Sequence, residues 1–175
     1  MIIKATYQRS KTTLFILIFL LLFSPLTSLH AEDPAGETDK ILTAAESHFT
    51  MLKERQYRDI WKGLTAKTQE SITENVIKES AKKGHVLTKE QTRNDFTTGG
   101  PLSKAYWDAY LSTFNPDMVL KQSVWKMGII KKDYAEVILQ FKKADNPAIL
   151  QMKKEGGAWK VGLEETFGIL RWVIR

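Results

Sequence analysis

The chain of 175 residues contains no cysteine. Disulfide bonds, thiolate metal sites and a lipoprotein-type lipid anchor are therefore excluded, because each needs a cysteine thiol. Histidine is scarce as well, with three residues, and His48 and His85 lie far apart without metal-ligand spacing. No glycine-rich phosphate loop is present either. The sequence therefore predicts neither a metal site nor another cofactor.

Long apolar runs are absent except for one near the N-terminus. Three basic residues precede an apolar stretch at 14–23, and the small residue Ala31 follows it. A basic start, a short apolar core and a small-residue end are typical of a secretory signal peptide. We therefore predict a signal peptide at 1–31 and an exported domain, periplasmic or secreted. The alternative is an uncleaved inner-membrane anchor that holds the domain outside the cytoplasm.

The excess of positive charge is small once this segment is set aside. The whole chain has 26 Lys and Arg against 20 Asp and Glu, a formal net charge of +6. Residues 1–31 contain three of the cations and none of the acids, which leaves a balance of +3. Nucleic-acid binding usually shows a much stronger basic face or stripe. Nucleic acid is therefore not a predicted partner.

The rest of the chain is long enough for one domain with a buried core. Pro34 and Gly36 stand among charged residues, which predicts a short linker at 32–38. Apolar residues at three- and four-residue spacing predict helices, whereas 84–100 is polar and ambiguous. The predicted helices cover 39–55, 56–64, 65–83 and 101–114.

The periodicity then changes to two, which is typical of strands. The predicted strands cover 118–130, 134–143, 148–153 and 159–163. The tail at 164–175 has apolar groups on both faces and fits a fifth strand, a short helix or a segment that packs on a partner. Helices followed by an antiparallel sheet with one buried face predict an α+β fold. A curved sheet wrapped around the long first helix would form a cone with an internal cavity.

Two segments carry packing motifs that recur in one known superfamily. In 45–61, Ala45 and Phe49 lie on a first helix, and a second helix with Tyr and Trp follows. The segment 157–161 reads Gly-Ala-Trp-Lys-Val. Both segments resemble NTF2-like domains, the cystatin-like cone superfamily, in its exported bacterial type. The resemblance covers 39–163 and implies a helix-wrapped cone, but no single function, since this fold hosts enzymes, ligand carriers and secretion scaffolds.

Large rings with a polar group are the candidate ligand-binding residues. They are Tyr57, Trp61, Tyr106, Tyr110 and Trp125. Small-molecule pockets combine apolar surface with a few polar groups, and Tyr and Trp supply both. We predict that these residues line a pocket in the cone. Plain core packing is the alternative.

No set of residues for catalysis is evident. Enzymes that resemble this fold place an acid or a histidine inside the cone, whereas the inward positions of the predicted strands are apolar. His48 and Asp59 are the remaining candidates on the helices. We interpret His48 as a satisfied or surface histidine, and Asp59 as a solvated or capping acid. The sequence therefore predicts no catalytic residue and a protein that is not an enzyme.

Lys142, Lys153 and Lys160 fall on the outward face of the predicted sheet. This pattern fits a solvated face that discourages aggregation, or a surface for an anionic partner. Our leading hypothesis is an exported, non-catalytic binding domain whose partner is another protein or a second copy at the sheet face. The alternatives are a carrier of a small hydrophobic ligand, a membrane-anchored envelope scaffold similar to type IV secretion components, and an isomerase- or dehydratase-like enzyme.

Overall fold

The first helix begins earlier than the sequence predicted. The computed structural model describes residues 34–168, and helix α1 spans Pro34–Lys53. Proline is tolerated in the first turn because its missing N–H would have no helical partner there. Glu37 complements the positive end of the helix dipole in the same turn. The linker prediction is therefore wrong at 34–38, while the predicted signal peptide at 1–31 lies outside the described residues.

Six further helices and four strands follow α1 in the described part of the chain. They are α2 (Tyr57–Lys62), α3 (Ala66–Lys82), α4 (Lys89–Thr98), α5 (Pro101–Thr113), α6 (Pro116–Gln122), β1 (Ser123–Lys131), β2 (Tyr134–Phe141), β3 (Ala148–Glu155), β4 (Ala158–Gly162) and α7 (Leu163–Phe167).

The polar stretch at 84–100 contains helix α4, which the sequence left ambiguous. The helix begins with a capping box: the Thr88 hydroxyl accepts the Gln91 N–H at 3.1 Å, and the Gln91 side chain accepts the Thr88 N–H at 3.0 Å. It ends at Gly99, whose φ of 73° is the left-handed conformation that glycine adopts at low cost. Local capping therefore defines both ends of this polar helix.

The predicted strand at 118–130 is wrong over its first part. Pro116 occupies the first turn of α6, and the Asn115 side chain accepts the Asp117 N–H at 2.9 Å. This cap starts a helix where the apolar run suggested a strand. Strand β1 begins only at Ser123.

The described part of the C-terminal tail is mainly helical. Helix α7 ends at Gly168, whose φ is 60°. A short helix was one of the three conformations predicted for the tail, and 169–175 lies outside the described residues. The Gln151 N–H of β3 donates to the Thr166 hydroxyl at 2.9 Å, which attaches α7 to the sheet.

The four strands form one antiparallel sheet in the order β1-β2-β3-β4. The alternation predicted for β2 is confirmed, since Ala135, Val137 and Leu139 are buried. Gly156 and Gly157 join β3 to β4 with φ values of 60° and 81°, which a two-residue hairpin turn requires.

The buried face of the sheet packs against α1. Ile41, Ala45, Phe49 and Leu52 recur at three- and four-residue spacing and are at most 2% exposed. Helix α1 contacts both β2 and β4, which places this stripe over the sheet. The predicted α+β class, with helices packed on a four-stranded antiparallel sheet, is confirmed.

The two edges of the sheet differ. Strand β4 is covered by the segment after α2, where the Val161 N–H donates to the Gly63 carbonyl at 2.8 Å. Strand β1 pairs with β2 alone within residues 34–168, and its register shifts between Met127 and Ile130. This irregularity and the exposed Lys126 hinder the addition of another strand at that edge.

Candidate functional site

Four of the five predicted ligand-binding residues lie in one chain of ring contacts, which we call the aromatic array. Neighbouring ring centroids are 4.7 to 6.1 Å apart, in the order Trp61, Phe96, Tyr106, Trp107, Tyr110, Phe114, Phe49, Trp125. Aromatic contacts at these distances stabilise packed interiors. Trp61, Tyr106 and Trp107 are at most 7% exposed, so this part of the array packs in the core.

The polar groups of the aromatic array do not provide a general base. The Trp125 indole N–H donates to the Val119 carbonyl at 3.2 Å. The Tyr106 hydroxyl and the Trp107 indole nitrogen are buried without a hydrogen-bond partner in the described part of the chain. Burial raises the pKa of both Tyr106 and Tyr110. These hydroxyls stay protonated at neutral pH and provide no base.

Tyr57, the fifth predicted residue, makes a polar contact instead. Its hydroxyl donates to Asp108 at 2.6 Å, and the Arg55 guanidinium donates to the same carboxylate oxygen at 2.5 Å. Arg55 has a φ of 57° because it holds the left-handed position after α1, where the Gln56 N–H donates to the Met51 carbonyl at 2.9 Å. A non-glycine residue is strained there, and the bond to Asp108 offsets part of that strain.

An apolar pocket of about 310 Å³ lies beside the array. Eight of its lining side chains are apolar: Phe49, Phe114, Met118, Val119, Leu139, Phe141, Ala148 and Phe167. The other three, Thr113, Asn115 and Ser123, are polar but uncharged. The volume is at the small end of the range for ligand pockets, about 300 to 1,000 Å³. None of the five predicted residues lines this pocket, although Trp125 contacts Phe49, which does.

A polar pocket of about 300 Å³ adjoins the apolar pocket. Phe114 and Asn115 line both. Lys53, Arg55 and Asp117 are the charged residues that line the polar pocket. The Lys53 ammonium lies 3.0 Å from an Asp117 carboxylate oxygen, and the ammonium of Lys121, which is outside the lining, lies 3.2 Å from the same oxygen. The ion pairs with Lys53 and Lys121 lower the pKa of Asp117. One ionised carboxylate therefore stands between two ammonium groups.

A larger polar cleft lies between α3 and α4, with a volume of about 650 Å³. Glu70 forms ion pairs with both Lys89 and Arg93, and Lys89 also lies 3.2 Å from Glu74. Two acids and two cations compensate each other here. We interpret this network as the contact that joins the two helices.

His48 is fully buried, which contradicts its interpretation as a satisfied or surface histidine. Its ring makes an edge contact with Phe49, with centroids 5.5 Å apart, and neither ring nitrogen has a partner among the described residues. Desolvation lowers the pKa of His48 to about 3. The ring is neutral at pH 7, and no acid is bonded to it to orient it as a general base.

Asp59 behaves as the sequence suggested. It is exposed and lies 2.9 Å from the Lys62 ammonium on the same helix. An exposed pair of this kind contributes little to stability. Asp59 therefore has no place in the site.

Glu37 is a buried carboxylate that sequence reasoning missed, because it was placed in a linker. It accepts hydrogen bonds from the Lys154 ammonium at 2.6 Å and from the Trp159 indole N–H at 2.5 Å. These bonds lower the pKa of Glu37 to about 2. The contact attaches the start of α1 to the β3–β4 hairpin and is structural.

The three lysines predicted on the outer face of the sheet differ in setting. Lys142 is exposed in the turn after β2. Lys153 lies over the Tyr134 ring, with its ammonium 4.7 Å from the ring centroid, and is directly opposite Lys160. Like charges at opposite positions destabilise a sheet. The same face exposes 47% of Ile149, so it is mixed rather than uniformly basic.

Membrane-spanning helices and metal-binding clusters are both absent from residues 34–168. None of the helices in this range combines the length and the hydropathy that a membrane span requires. No group of three or more His, Cys, Asp or Glu side chains in the same range is placed to hold a metal ion.

Comparison of the chain with protein-family models, curated proteins and solved structures found no significant match.

Proposed function

We propose that this chain is a non-catalytic binding domain that holds a small hydrophobic molecule in the apolar pocket. The observation that carries the proposal is the lining, which has eight apolar and three uncharged polar side chains. Acid–base catalysis needs an ionisable group within reach of the substrate, and this lining supplies none. Burial of hydrocarbon contributes about 25 cal/mol per Å² of apolar surface removed from water.

The proposal includes an NTF2-like cone. Helix α1 packs across one face of an antiparallel sheet, and the pocket takes Phe49 from α1 and Leu139 and Phe141 from β2. A cone would have its cavity between these same elements. An experimental structure tests this point: a curved sheet that superposes on NTF2-like domains supports it, and a flat sheet without a cavity contradicts it.

We further propose that the domain is exported, as the composition of 1–31 indicates. N-terminal sequencing of the protein recovered from fractionated cells is the test. Mature protein that begins at Glu32 outside the cytoplasm supports a cleaved signal. Protein that keeps Met1 in the membrane fraction supports the anchored scaffold instead, and cytoplasmic protein contradicts both.

Ligand binding is tested with decanol, a neutral molecule with one hydrocarbon chain, by isothermal titration calorimetry. Ala148 lines the pocket, and Ala148→Leu would fill part of it. We expect this variant to bind decanol at least about tenfold more weakly, since the added side chain overlaps the ligand. Ala158→Leu is the matched control at an exposed position outside the pocket. Absence of decanol binding, or equal binding by both variants, contradicts the proposal.

Binding of a protein partner at the outer sheet face is the second candidate function. Val124 on β1 and Ile149 on β3 are each 47% exposed on that face. Ile138, on the central strand β2, pairs with Ile149. Analytical ultracentrifugation of the wild type and of Ile149→Lys tests for self-association. A concentration-dependent dimer that the substitution disrupts favours a second copy as partner, and a monomer at all concentrations removes that option.

A further inference from the structure

The two adjoining pockets combine an apolar wall with an excess of positive charge. Along α1, Phe49 lines the apolar pocket, and Leu52 and Lys53 line the polar pocket. One helical turn, about 5.4 Å, separates these positions. Phe114 and Asn115 line both pockets from the other side. A single molecule of modest length can therefore reach from one pocket to the other.

The charges at the polar end do not cancel. Asp117 is shared by Lys53 and Lys121, which leaves one positive charge without a compensating carboxylate in that cluster. The side chains of Lys53 and Lys121 are 43% and 64% exposed, so their ammonium groups remain accessible. An ammonium group has three donors, and the shared carboxylate leaves donors available for an anion.

We infer that the ligand is an anionic amphiphile with one short hydrocarbon chain. The hydrocarbon occupies the apolar pocket, and the head group, such as a carboxylate, binds the Lys53 ammonium in the polar pocket beside Asp117, where Lys121 adds a second positive charge. This inference rests on the proposed function, since it names the class of ligand for the same pocket. The small volume of the apolar pocket, about 310 Å³, favours one short chain over a lipid with two acyl chains.

The test compares decanoate with decanol, which have chains of equal length and differ in charge. Calorimetric titrations below the micellar concentration are expected to show tighter binding of decanoate at low ionic strength. Added salt should weaken decanoate binding and leave decanol binding unchanged, because salt screens exposed charges.

Substitutions locate the head group. Lys53→Met and Lys121→Met are each expected to weaken decanoate binding about two- to fivefold, the range of exposed ion pairs, with decanol binding unchanged. Lys78→Met, at an exposed position on α3, is the matched control. Asp117→Asn removes the carboxylate that competes for the lysines and should strengthen decanoate binding. Loss of folding would weaken binding, so it cannot account for this gain.

The outcomes separate the two proposals. Binding of decanol without a preference for decanoate, or unchanged decanoate affinity in all three cluster variants, overturns the inference and leaves the proposed function standing. Failure of both molecules to bind contradicts the proposed function itself. Weaker decanoate binding by Asp117→Asn also overturns the inference, because it would show that the carboxylate supports the site.

Discussion

Replacing His48 by leucine should stabilise the protein and remove part of its sensitivity to acid. The pKa of His48 is lowered to about 3 in the folded state, against 6.5 for an accessible histidine. Below pH 6.5 the unfolded chain therefore binds a proton that the folded chain does not. The free energy of unfolding decreases as the pH is lowered from 6.5 to about 3. Each pH unit corresponds to about 1.4 kcal/mol, so about 2 kcal/mol is lost between pH 6.5 and pH 5.

The substitution also acts at neutral pH. Both ring nitrogens of His48 are buried without a partner in the described residues, and an unsatisfied buried polar group costs about 1 to 3 kcal/mol. Leucine is apolar and of similar size. We therefore expect His48→Leu to raise the free energy of unfolding by about 1 to 3 kcal/mol at pH 7.5 and by about 3 to 5 kcal/mol at pH 5.

Urea unfolding followed by circular dichroism at pH 7.5, 6.0 and 5.0 measures this difference. Glu37 does not interfere, because its pKa is lowered from 4.5 to about 2 and its contribution is lost only below pH 4.5. His85→Gln, at an exposed position, is the control. Parallel pH profiles for wild type and His48→Leu above pH 5, or a less stable variant at pH 7.5, would refute the reasoning and indicate that His48 has a polar partner in solution.

Substitutions at three further positions test the fold. Glu37→Gln should lower the melting temperature at pH 7 and flatten its dependence on pH between 4.5 and 2, where the Glu37 carboxylate of the wild type is protonated in the unfolded chain and still ionised in the folded protein. Arg55→Gly should be about 1 kcal/mol more stable than Arg55→Ala in urea unfolding, because both lose the side-chain bond and only glycine relieves the positive φ. Gly100→Ala should cost about 1 to 3 kcal/mol, since the new Cβ would lie 2.3 Å from a carboxylate oxygen of Asp95, and the Ser103 N–H holds that carboxylate in place by donating to its other oxygen at 2.8 Å. Gly63→Ala, with 3.6 Å contacts, is the control for that change, and equal losses would contradict the steric reasoning.

The strands after residue 133 were predictable because their side chains alternate. Burial of Val137 and Leu139 follows directly from the sequence pattern, as does the glycine turn before β4. The first part of the predicted strand at 118–130 failed because a short apolar run has no distinctive period. Asn115 and Pro116 carried the helix signal, as an N-cap and a first-turn proline.

The position of His48 could have been inferred from spacing. It follows Ile41 and Ala45 and precedes Leu52 on the same stripe of α1, and all four are buried. Its polar ring suggested exposure, and helical geometry outweighed that preference. For a polar residue on an apolar helix stripe, its position on the helix therefore predicts its burial better than its residue type does.

The pockets could not be predicted from sequence. The apolar pocket takes Phe49 from α1, Phe114 from the end of α5, Ala148 from β3 and Phe167 from α7. These residues are brought together by tertiary packing, and no local pattern marks them as a group. Four of the five rings predicted to line a pocket instead pack against other aromatic rings, because large rings stabilise a core as readily as they line a pocket.

The edge contact between Trp125 and Phe49 gives the protein an internal optical reporter. Trp125 is partly buried, and its ring centroid is 5.8 Å from that of Phe49, which forms a wall of the apolar pocket. A molecule that enters the pocket displaces water next to this pair and changes the surroundings of the indole. The fluorescence emission of Trp125 should therefore shift to shorter wavelength on binding, so occupancy can be followed without any added label.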